Sequence, residues 1–114
     1  MTDLEMTRLC AQALFGKVVQ RHKDGPVFGY TERSEGDTLY CSEVKVDPLR
    51  DDAQAMALLI LLLKSGERVV IENNERGTQP ILVFRNSVYP VWDEGQLRRA
   101  VVECVAKIQA GKNG

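Results

Sequence analysis

Long apolar runs, histidine and paired cysteines are what this sequence has least of. The longest unbroken apolar stretch is Ala55–Leu63, nine residues, well short of the ~20 that a membrane-spanning helix needs; it reads as a buried helix. The one histidine, His22, argues against the usual zinc and non-haem iron sites, which need several imidazole or thiolate ligands. It lies in a polar turn between Arg21 and Lys23, not in the rigid setting that a Ser-His or Cys-His couple requires. Cys10, Cys41 and Cys104 are odd in number and separated by 31 and 63 residues, which is neither a disulfide framework nor a metal knuckle. Neither form of glycine-rich phosphate loop is present, so nucleotide chemistry is not expected. The opening Met1-Thr2-Asp3-Leu4-Glu5 has neither the basic start nor the apolar stretch of a secretion signal, and a cytosolic location is expected.

The net charge of −1 implies neither a polyanion nor an anionic membrane as partner. Residues 1–57 carry 7 basic and 10 acidic side chains and residues 58–114 carry 8 and 6, an asymmetry too small to point to nucleic acid. With 114 residues, 44% apolar and 27% charged, the composition is that of one ordinary domain with one core.

Helical and strand periodicities alternate along the chain. Thr2 and Glu5 form a capping box, and Met6, Leu9, Cys10, Ala13 and Leu14 recur at three- and four-residue intervals up to a stop at Gly16. Lys17–Arg21, Val27–Thr31 and Thr38–Val46 are strand candidates, separated by turns at residues 22–26 and 34–37. A helix then opens either at Asp47-Pro48 or, with Pro48-Leu49-Arg50 as a turn, at Asp51 or Asp52, and Gly66 closes it. Residues 68–72 and 81–85 form the clearest hairpin, and the second of these strands is apolar on both faces, as if covered by helices on both sides. Ser87–Val91 reads as a loop. Asp93 and Gln96 form a second capping box for a last helix that carries Leu97, Ala100, Val101, Cys104, Val105 and Ile108 to an end at Gly111. The expected fold is α+β, a small α-β-α sandwich of one domain over residues 1–114, in the order helix, hairpin plus strand, helix, hairpin, helix, with antiparallel strands.

No cofactor, metal or catalytic constellation is read from the residues. The acidic pairs Asp51-Asp52 and Asp93-Glu94 could hold a hard cation, but both stand where helices begin, where the helix dipole already favours negative charge. Two surface features remain. Leu58–Leu63 is apolar all round, so this helix is covered on two sides or meets another molecule, a second copy being one option. Tyr89, Trp92, Arg98 and Arg99 form the expected interaction surface, because aromatic and arginine side chains anchor interfaces. With Arg85 and Lys107, the same residues could make a basic, aromatic face for RNA or DNA, the less favoured alternative, since Glu94 and Glu103 dilute it.

The stretch Asp47-Pro48-Leu49-Arg50-Asp51-Asp52-Ala53-Gln54-Ala55 resembles the turn-into-helix signature of small phage proteins with an α-β-α sandwich domain, the NinX-like group. Gln96-Leu97-Arg98-Arg99-Ala100-Val101-Val102-Glu103 is similar to their closing helix. The chain departs from that pattern in its leucine run and in a longer stretch before Asp47. The resemblance implies a phage or prophage setting and no enzymatic activity. It leads to the expectation of a small accessory protein that binds a host or phage protein, including host defence complexes, in the cytosol.

Overall fold

The computed structural model describes residues 1–114. Its elements are α1 (Asp3–Phe15), β1 (Val18–Val19), β2 (Phe28–Glu35), β3 (Thr38–Lys45), α2 (Asp52–Lys64), β4 (Val69–Asn73), β5 (Pro80–Phe84), β6 (Ser87–Pro90) and α3 (Glu94–Asn113). The α+β class, the antiparallel strands and the alternation of helices with strands follow the sequence reading. The strands divide into two sheets, ordered β1-β2-β3 and β4-β5-β6. The first packs on α1 and the second on α3, while α1, α2 and α3 pack on one another.

Local chemistry accounts for the helix starts. The Thr2 hydroxyl accepts the Glu5 amide at 3.1 Å and the Glu5 carboxylate accepts the Thr2 amide at 3.3 Å, closing the capping box. Asp51 caps α2 by accepting the Gln54 amide at 3.0 Å, so Pro48-Leu49-Arg50 is a turn and the later of the two helix starts is the real one. The Gln54 side chain accepts from the Asp47 amide at 2.7 Å and donates to the Lys45 carbonyl at 2.8 Å, tying the end of β3 to the start of α2. Asp93 accepts the Gln96 amide at 2.8 Å, but the Gln96 side chain takes the Trp92 amide at 2.7 Å and not that of Asp93. The second capping box is therefore displaced by one residue.

Four further boundaries differ from the sequence reading. The first strand keeps only Val18–Val19, paired with Phe28 and Gly29, because Gln20 turns inward to donate to the carbonyls of Lys23 and Gly25. β2 runs through Ser34 to Glu35, and the reversal is confined to Gly36-Asp37, with Gly36 at φ 59°, the left-handed geometry of a two-residue hairpin turn. Ser87–Pro90 is a strand, β6, paired along β5. The turn before it is Arg85-Asn86, with Arg85 at φ 55°, a conformation usually left to glycine or asparagine. Its cost is offset by the β5–β6 ladder and by the 2.7 Å pair between Arg85 and Glu67. Finally, α3 passes through Gly111 to Asn113, whose side-chain amide donates to Gln12 of α1 at 2.7 Å.

The main core joins Met6 and Cys10 of α1, Leu58 and Leu62 of α2, Leu82 and Phe84 of β5, and Val101, Val102, Cys104 and Val105 of α3. A second, smaller cluster of Ala11, Val27 and Val46 lies beneath Phe15, between α1 and the first sheet. α1 is thus buried on two sides. The second sheet is not: Leu82 and Phe84 face the core, while the opposite face, with Val70, Val83 and the exposed Val88, carries no helix. The two-sided apolar pattern of β5 therefore reflects one covered face and one shared only with its neighbouring strands.

Candidate protein-contact surface

α2 touches only α1 and α3 among the helices and buries Ala55, Leu58 and Leu62 against them. At 100° per residue these three fall on one side of the helix. Met56, Ile60 and Leu63 fall on the other side, and they are 58%, 47% and 55% exposed. The leucine run therefore has more apolar surface than one helix face can bury, and the surplus is bare. Beside it, a groove of about 270 Å³ opens between α2 and the first half of α3, walled by Met56 and Leu59 on one side and Leu97 and Val101 on the other. Asp52, Glu94 and Arg98 form its charged rim.

The four residues expected to form one interaction surface take different partners. Arg98 is only 23% exposed in its side chain; its Nε donates to the Leu49 carbonyl at 2.9 Å and a terminal nitrogen meets Asp52 at 2.6 Å. It clamps α3 to the start of α2. Arg99 turns the other way, to Asp3 at 2.9 Å and Glu103 at 3.5 Å, and hydrogen bonding to Asp3 raises its pKa further above the ordinary arginine value. Tyr89 packs against the core and accepts from Lys107 at 2.7 Å through its hydroxyl. Trp92 is 60% exposed in the link before α3. Arg98 thus reaches the groove, Trp92 stands free, and Tyr89 and Arg99 belong to other contacts.

Other apolar side chains are exposed on the two sheets, Leu39, Tyr40 and Val44 on β3, Ile71 on β4 and Val88 on β6. A cleft of about 440 Å³ at the starts of α1 and α3 is lined by Asp3, Asp24, Lys45, Asp47, Arg50 and Arg99, among others. Its charges are largely spent on one another, Arg99 with Asp3 and Arg50 with Asp47 at 3.4 Å. No group of three or more His, Cys, Asp and Glu side chains is placed to hold a metal ion. His22 is exposed in its turn. No helix is long and apolar enough to cross a membrane. Burial pushes the Cys10 thiol up to about 12 and the Cys104 thiol to about 11, so neither is a ready nucleophile.

The fold and this surface define a small α+β domain with one uncovered apolar helix side. No protein-family model, curated protein or solved structure matches the chain. Val101 is buried in the core as its spacing indicates, and half-buried Leu97 packs against that core; both also border the groove. Their helical spacing marks them as core, and the packing of α2 on α3 adds their place at the groove.

Proposed function

We propose that this chain is a small accessory protein that acts without catalysis, by protein–protein contact, and that its contact surface is the bare side of α2 with the adjoining groove. The observation that carries the reading is the exposure of Met56, Ile60 and Leu63 along one helix stripe. Contiguous apolar surface of this kind is costly in water and is kept where another molecule covers it. Free Cys10, Cys41 and Cys104 suit a reducing cytosolic setting. The resemblance of residues 47–55 and 96–103 to small phage proteins is the reason to look for the partner among host proteins. Nucleic acid is the weaker reading, since Arg98 and Arg99 already hold carboxylate partners.

The test compares the native protein with Ile60→Glu as bait in host lysate, each with and without nuclease. A protein recovered by the native bait, insensitive to nuclease and lost with Ile60→Glu, is the expected result. Equal recovery by both baits, or recovery abolished by nuclease, would overturn the proposal.

A further inference from the structure

The bare side of α2 has the layout of a surface that fits itself. Met56, the half-buried Leu59 (which also packs on the core), Ile60 and Leu63 follow one another at intervals of three, one and three residues. A two-fold axis crossing the helix between Leu59 and Ile60 sets Met56 against Leu63 of a second copy, and Leu59 against Ile60. Such an arrangement is antiparallel, so the two helix dipoles also oppose each other favourably. The charges divide the same way. The N-terminal end of the patch carries Asp51, Asp52 and Glu94, with Arg98 neutralising Asp52. The C-terminal end carries Lys64, which has no carboxylate partner within the chain. Under the same axis Lys64 stands opposite Ala55, about 4.5 Å along the helix from Asp52 at 1.5 Å per residue, so the basic end of each helix meets the acidic end of the other.

A lipid surface fits less well, because an amphipathic helix lying on a membrane carries basic residues along its polar flanks, and here one end of the patch is acidic.

We infer that the partner of this surface is a second copy of the chain, joined through antiparallel α2 helices about a two-fold axis between Leu59 and Ile60. The inference rests on the proposal that the bare side of α2 is the contact surface and names what covers it. An isologous contact of this kind closes on itself and stops at the dimer.

The test is sedimentation equilibrium of the full chain over a wide concentration range, for the native protein and for Ile60→Glu and Lys64→Glu, each checked by circular dichroism. The native protein is expected to reach twice 12.8 kDa. Ile60→Glu places two like charges beside the axis and should weaken association at least about a hundredfold; Lys64→Glu should weaken it less. With Cys41→Ser removing the exposed thiol, a mixture of Met56→Cys and Leu63→Cys chains should cross-link on oxidation, and Met56→Cys alone should not. A monomer at every concentration, a dimer indifferent to Ile60→Glu, or self-linkage of Met56→Cys overturns the inference. If the chain is monomeric yet Ile60→Glu still abolishes recovery of a host protein, the second-copy assignment falls and the contact surface stands. If Ile60→Glu alters neither, both fall.

Discussion

A methyl group added at Gly29 would enter the space of the Phe15 ring. An alanine Cβ there would lie 2.1 Å from Cδ2, 2.3 Å from Cγ and 2.6 Å from Cε2 of that ring. Ordinary contact begins near 3.4 Å, so ring or strand must move by more than 1 Å. Cγ lies near the root of the side chain, so rotation of the ring about its own axis gives no relief. Phe15 ends α1 and covers the small cluster of Ala11, Val27 and Val46; swinging it outward uncovers that cluster. Overpacking of this kind costs about 1–3 kcal/mol, offset by the ~0.5–1 kcal/mol that alanine gains over glycine in a strand. The net expectation for Gly29→Ala is a loss of up to about 2.5 kcal/mol, read in urea as a lower midpoint at unchanged slope. In thermal unfolding each kcal/mol should appear as a fall of about 4–8 °C. The decisive measurement is a double-mutant cycle with Phe15→Leu, where the pair should be less destabilising than the sum of the single changes. Gly29→Ala as stable as the native protein, with no coupling to Phe15, would refute the reasoning.

Leu58 is fully buried where α2 meets the core, and Leu58→Ala should cost about 2–5 kcal/mol by chemical denaturation, whereas Met56→Ala on the bare side should cost the monomer little. Arg98→Ala removes the clamp to Leu49 and Asp52 and should destabilise by about 1–3 kcal/mol, since the Leu49 carbonyl loses a charged donor; an unchanged urea midpoint would contradict this. Under native conditions a thiol reagent should modify only Cys41, and all three cysteines in urea, because Cys10 and Cys104 are buried and their thiols titrate far above neutrality. Hydrogen bonds from Arg21 and Arg85 hold the Glu43 and Glu67 carboxyls below their ordinary 4.5. Their folded values being the lower ones, the stabilisation is complete above 4.5 and is lost as the pH falls through those folded values. Arg21→Gln with Arg85→Gln should flatten that acid limb of the stability curve, and an unaltered limb would count against these pairs.

The features legible in the sequence are local or periodic. The Thr2–Glu5 capping box, the stop at Gly16 and the Asp93 cap depend on groups within a few residues of one another, so spacing alone determined them. The apolar stripes of α1 and α3 and the all-round apolar α2 followed from the 3.6-residue period. Even the surplus of apolar surface on α2 could be counted from Leu58–Leu63. β6 could not be read, because its turn, Arg85-Asn86, has no glycine or proline to announce it, and it is held by the β5 ladder and by Glu67, eighteen residues earlier.

Tertiary structure alone decided which surfaces stay bare. Arg98 and Arg99 are neighbours in sequence, but 100° of helical rotation sends one to α2 and the other to α1. Tyr89 turned inward once β6 formed, and Leu97 and Val101 became groove walls through the way α2 lies on α3. The sequence by itself determined that this chain folds as an α+β domain with more apolar helix than one core can cover. Which side of α2 remained uncovered was settled by the packing of α1 and α3 against Ala55, Leu58 and Leu62, because exposure depends on the arrangement of distant segments in space.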